Sequence, residues 1–112
     1  MKWTIEEGNI KKQVQSVGDI VSAVKNVMDE KAEFLVLSPE EPVNNCFFMQ
    51  AVRDGADAMY FEININKPNG NDSYTMYTKH PSPDIAMDVL AKFYLEGIIP
   101  DLNNWLLGSD IY

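Results

Sequence analysis

Apolar residues recur at helical spacing between residues 17 and 31. Ser16, followed three residues later by Asp19, is typical of a helix start. Charged side chains such as Lys25 and Glu30 fall outside the apolar stripe, so the pattern predicts an amphipathic helix of about four turns over residues 17–31. The stripe consists of Ile20, Val21, Val24, Val27 and Met28.

A second helix is predicted near the C-terminal end of the chain. Ser82 is placed to cap it, Pro83 suits the first helical position, and Gly97 suits the end. Its apolar residues have helical spacing and should face a sheet. They are Ala86, Val89, Leu90 and Phe93.

Between the helices, short runs of β-branched and aromatic residues are broken by turn-forming clusters, which is typical of strands. Because the connections "SPEEPVN", "DGA" and "KPNGND" are short, neighbouring strands should be antiparallel. "KPNGND" is the pattern of a hairpin turn, and its spacing does not match a calcium loop. The strands are predicted at residues 33–38, 46–53, 58–66 and 73–79, with a possible fifth at residues 2–6 and a turn in "EGNIKK".

Polar and apolar residues alternate along residues 58–66, which predicts a strand with one buried and one wet face. "CFFMQAV" is apolar on both faces, as expected of a central strand. The 112 residues form one domain, residues 1–112. The fold class predicted is α+β: a mainly antiparallel sheet of four to five strands with two helices on one face.

Charge and cysteine content narrow the function. The net charge of -8 repels phosphate backbones and anionic membranes, so direct nucleic-acid or membrane binding is not expected. A single cysteine, Cys46, excludes an intramolecular disulfide, and no apolar run approaches the ~20 residues of a membrane span. These features favour a cytoplasmic protein without a signal peptide.

The sequence offers no catalytic or metal-binding constellation. His80 is the only histidine, with no recognisable base or nucleophile partner, and Cys46 lies in an apolar run that suits a buried, inert thiol. One histidine and one cysteine cannot supply the usual zinc ligands. We therefore expect no enzyme activity, no metal and no cofactor.

Acidic residues near aromatic side chains suggest a protein-binding surface instead. Glu40 and Glu41 stand between two prolines in "SPEEP", and Asp54 and Asp57 flank a turn that does or does not share that end of the sheet. Such carboxylates are often merely solvated, and Trp105 is favoured as a clasp that packs on the body over an interface residue. A basic partner would suit this surface. The candidate contacts are Glu40, Glu41, Asp54, Asp57, Tyr60, Glu62, Tyr74 and Trp105.

Several strings together resemble the small immunity proteins of bacterial polymorphic-toxin and contact-dependent growth inhibition systems. They are "FLVLSPEEPVNNCFFMQAV", "YFEININ", "YTMYTKH", "FYLEG" and "GIIPDLNNW", and the resemblance runs over most of residues 33–107. It implies a cytoplasmic protein that binds and blocks the toxin C-terminal domain encoded beside it. Such toxins are commonly nucleases or deaminases with basic substrate channels. The alternative is a protein- or ligand-binding regulatory module unrelated to toxins.

Overall fold

A seven-stranded antiparallel sheet and two helices build the protein, so its fold is α+β. The computed structural model describes residues 1–66 and 74–107, and of Asn66 and Tyr74 it describes the backbone only. The helices are α1 (Val17–Met28) and α2 (Pro83–Glu96), and a 3-10 turn covers Leu102–Asn104. The strands are β1 (Trp3–Glu7), β2 (Ile10–Gln13), β3 (Leu35–Pro39), β4 (Cys46–Arg53), β5 (Met59–Asn66), β6 (Tyr74–Lys79) and β7 (Leu106–Leu107).

The sheet has two more strands than the four to five predicted. Its spatial order is β2-β1-β3-β4-β5-β6-β7, with every neighbouring pair antiparallel. The segment "EGNIKK" was expected to be a turn only, but its second half forms β2, which pairs with β1 around Gly8. All four residues of β2 are exposed, and β7 is only two residues long, so neither carries an apolar alternation that a sequence pattern could reveal.

Helix α1 begins where the sequence predicts. The Asp19 carboxylate accepts hydrogen bonds from the backbone N–H of Gln15 at 2.7 Å and of Ser16 at 3.3 Å. The bond from Gln15 is the main reason why the pKa of Asp19 is lowered. The helix ends at Met28, three residues before the predicted end, because the chain turns through Glu30 at a φ of 61°.

Helix α2 also follows its sequence signals. The Ser82 hydroxyl accepts a hydrogen bond from the Ile85 N–H at 3.3 Å, and Pro83 occupies the first turn. Gly97 ends the helix with a φ of 68°, a left-handed conformation that glycine adopts without strain.

Both helices pack on one face of the sheet and contact each other, as expected. The core lies between this inner face and the helices, and Phe61 of β5 and Phe93 of α2 are its largest fully buried side chains. Trp3 closes one side of the core by an edge contact with Phe93, with ring centroids 4.9 Å apart. In the part of the chain that is described, no helix is long and apolar enough to cross a membrane.

Strand β4 lies in the middle of the sheet, as its apolar sequence predicts. Its two adjacent phenylalanines have a specific cause. Cys46 pairs with Ile65 and Phe48 pairs with Asn64, so Phe47 is an extra residue in a β-bulge. The bulge restores the alternation, and Met49 and Ala51 then point into the core.

Strand β5 alternates as predicted, with one exception. Met59, Phe61 and Ile63 are fully buried on the inner face. On the opposite face, which the sequence predicts to be wet throughout, Asn64 is only 1% exposed. The register places Phe48 and Met76 on either side of Asn64, and these large neighbours account for its burial. The predicted "KPNGND" turn lies outside the described residues.

Candidate functional site

The face of the sheet opposite the helices, here called the outer face, carries the candidate site. Strand register places one outward residue of each strand in a continuous row across the sheet. No described helix packs on this row, since both helices contribute to the core on the inner face. The row consists of Lys11, Glu6, Val36, Gln50, Glu62, Thr78 and Leu106.

Three predicted or dismissed residues meet at one corner of the outer face. Asp54 follows β4, His80 follows β6, and the His80 Nδ1 lies 2.5 Å from the Asp54 Oδ2. The half-buried Tyr60 ring contacts the imidazole edge-on, with ring centroids 5.2 Å apart. This corner therefore combines an exposed carboxylate, an aromatic ring and a titratable imidazole.

A tight turn presents Asp54 and Asp57 beside this corner. The Asp54 N–H donates to the Ala58 carbonyl at 2.9 Å, and Gly55 has a φ of 79°. Both carboxylates are exposed. The preceding residue, Arg53, points to the inner side and pairs with Glu30 at 3.0 Å, so its guanidinium is engaged away from the two aspartates.

Glu62 lies nearer the centre of the outer face. The Gln50 side-chain amide donates a hydrogen bond to the Glu62 carboxylate across the β4–β5 pair. Glu62 is partly buried and forms no ion pair with any described lysine, arginine or histidine. Its charge is therefore oriented by an amide and is not neutralised.

Glu40 and Glu41 lie elsewhere. They follow β3, and the Glu40 N–H is bound to the Lys2 carbonyl at 2.8 Å, at the end of the sheet where β4 begins. Asp54 and Asp57 follow the other end of β4, whose eight residues separate the two pairs by roughly 25 Å. The structure thus divides the predicted acidic surface into two distant parts.

Trp105 does not join the outer face. Its ring meets the buried Phe61 edge-on, with centroids 5.9 Å apart, and the Lys79 Nζ lies 5.7 Å from the ring centre. The indole is partly buried against the core, which agrees with the predicted clasp. Tyr74 begins β6, but its side chain lies outside the described residues.

The two groups that could take part in covalent chemistry are not placed for it. Burial raises the pKa of the Cys46 thiol to about 12, so it is protonated at neutral pH and inert, as expected. Among described residues, no serine, threonine or cysteine hydrogen-bonds to His80. Within the same residues, no group of three or more His, Cys, Asp or Glu side chains could hold a metal ion.

Two neighbouring grooves lie away from the outer-face corner. One, of about 400 Å³, is lined by Glu7, Ile10 and Lys31, among others. The other, of about 310 Å³, lies beside Val27 and Arg53. Both are lined mainly by charged and polar side chains, which is unlike the largely apolar lining of most small-molecule sites.

Sequence reasoning missed Gln50 and Asn64 and treated His80 as neutral. A signal for Gln50 was present, because it is the only polar side chain in the apolar stretch "CFFMQAV". The contact of His80 with Tyr60 and Asp54 depends on the register of β6 against β5, which the sequence does not determine.

Comparison with known proteins adds no further identification: no family model, no curated protein and no solved structure matches this chain.

Proposed function

We propose that this chain is an immunity protein that binds and neutralises a cognate toxin domain, of the nuclease or deaminase class, in the cytoplasm. It acts by stoichiometric binding and not by catalysis. The contact surface is the outer face of the sheet, centred on the corner formed by Asp54, Asp57, Tyr60 and Glu62. The observation that carries the proposal is a sheet face without a described helix whose acidic corner includes four of the residues suggested by sequence.

The side chains of the outer face suit a protein partner. Val36, Val52 and Met76 provide apolar area that is only partly buried. Gln50 and Glu62 supply hydrogen-bonding groups among them. Interfaces commonly combine an apolar centre with a polar rim, and the outer face has this composition.

Charge supports a basic partner. The chain carries a net charge of -8, and Asp57 and Glu62 form no ion pair in the described part of the chain. A nuclease or deaminase must attract a nucleic acid, so its substrate channel is positively charged. An acidic face that covers such a channel would speed association and exclude the substrate at once.

The distance between the two acidic pairs allows the surface to be tested directly. One variant carries Asp54→Lys and Asp57→Lys, and the other carries Glu40→Lys and Glu41→Lys, so both change the net charge equally. All four residues are exposed, so we expect changes in the free energy of unfolding within about 0.5 kcal/mol. Affinity for the toxin domain encoded beside this chain is measured by calorimetry.

We expect the Asp54 and Asp57 variant to bind at least about tenfold more weakly, and the Glu40 and Glu41 variant less than about threefold. The reverse order would move the contact surface to the "SPEEP" loop. Equal, small effects of both variants would refute an acidic contact surface.

A further inference from the structure

Glu62 has a position on the outer face that constrains what can dock there. Its carboxylate lies near the middle of the seven-residue row and is directly opposite Gln50 on one side and Thr78 on the other. Any flat partner that covers the centre of this face must remove Glu62 from water. Burying a carboxylate without a cation is strongly unfavourable, because its hydration is lost without replacement.

The chain itself does not provide that cation within its described residues. Lys11 lies in the same row but pairs with Glu6 at 3.6 Å, with the positions of Val36 and Gln50 between it and Glu62. Lys79 is on the inner side, over the Trp105 ring. A cation for Glu62 must therefore come from the partner.

We infer that the partner places an arginine side chain opposite Glu62, and that this pair is the polar anchor of the complex. The inference rests on the proposed function and specifies its contact chemistry. Gln50 donates to one carboxylate oxygen, Oε2, and so fixes the orientation of the group before binding. A fixed, planar carboxylate with free lone pairs matches the rigid fork of a guanidinium better than the single point charge of an ammonium.

Asn64 provides a second, independent observation on the same face. It lies two residues from Glu62 on the same side of β5 and is 1% exposed. Its Nδ2 is the one buried side-chain nitrogen or oxygen with no hydrogen-bond partner in the described part of the chain. A buried donor without an acceptor is unfavourable, so an acceptor from a partner main chain beside the arginine would be stabilising.

The test uses two variants with the same change of charge. Glu62→Gln removes the charge and keeps the size of the side chain, and Glu96→Gln is the control at the exposed C-terminal end of α2. Thermal unfolding of both variants establishes that they are folded. Affinity for the toxin domain encoded beside this chain is then measured at two salt concentrations.

We expect Glu62→Gln to weaken binding at least about 30-fold and Glu96→Gln less than about twofold. Equal effects of the two variants would overturn the inference while leaving the proposed function in place. If the unmodified chain does not bind the toxin domain at all, the proposed function fails, and the inference fails with it.

A second probe needs no toxin. A hexa-arginine peptide is titrated into isotopically labelled protein and followed by NMR, with a hexa-citrulline peptide as the neutral control of nearly equal shape. We expect the arginine peptide, but not the citrulline peptide, to shift the Gln50 side-chain amide, and we expect Glu62→Gln to abolish this shift. Shifts confined to Glu40 and Glu41, or equal shifts with both peptides, would contradict an arginine contact at Glu62.

Discussion

Replacing Trp105 with alanine tests whether the C-terminal segment stabilises the core. The indole contacts the buried Phe61 at 5.9 Å and is covered on another side by the Lys79 ammonium at 5.7 Å. It follows the 3-10 turn at Leu102–Asn104, whose capping group is the Asp101 carboxylate. Loss of the ring therefore removes the main contact between the end of the described chain and the core.

The expected cost follows from the area involved. A packed aromatic side chain buries about 150 Å² at the lower end of its range, and at about 25 cal/mol/Å² this corresponds to about 4 kcal/mol. The unfolded chain already buries part of that area, which lowers the figure to about 2.5 kcal/mol. The edge contact with Phe61 adds about 0.5 kcal/mol or more, so we expect a loss of about 3 kcal/mol.

Urea unfolding followed by far-ultraviolet circular dichroism measures this loss without relying on tryptophan fluorescence. Leu95→Ala is the control, because Leu95 is 65% exposed on α2 and should change the free energy of unfolding by less than about 0.5 kcal/mol. A loss below about 1 kcal/mol for Trp105→Ala would refute the clasp. Trp105 would then be a surface residue available to a partner.

Two further predictions concern the fold. Cys46 has a pKa raised from 9.0 to about 12 by burial, so the folded state holds the thiol proton above pH 9 while the unfolded state releases it. Stability should therefore fall by about 1.4 kcal/mol between pH 8 and pH 10 through this group alone. Urea unfolding at both pH values should show a smaller decrease for Cys46→Ala, and an unchanged decrease would contradict the assignment. Gly97→Ala places a Cβ 3.0 Å from the Val43 Cγ1 at a φ of 68°, so we expect thermal unfolding to show a loss of about 1–2 kcal/mol. No loss would mean that the α2 end relaxes freely.

The helices were predictable because their signals are local. Ser82, Pro83 and Gly97 act within one turn of each helix end, so tertiary contacts did not change the predicted bounds of α2. Strand β2 was not predictable in this way. Its pairing with β1 is fixed by the turn at Gly8, and its exposed side chains leave no apolar pattern.

The division of the acidic residues could have been inferred from the sequence. In an antiparallel meander, successive connections lie at opposite ends of the sheet. The "SPEEPVN" and "DGA" connections are successive, so Glu40 and Asp54 had to lie apart. The neighbours of Glu62 could not be inferred, because the bulge at Phe47 shifts the register between β4 and β5, and no sequence signal locates a bulge of this kind.

The most direct test of the proposed function is growth of cells that express the adjacent toxin domain with or without this chain. We predict full rescue of growth and co-purification of the two proteins as a one-to-one complex. Persistent toxicity without a complex, with the chain folded and present at a concentration equal to that of the toxin domain, would contradict the account.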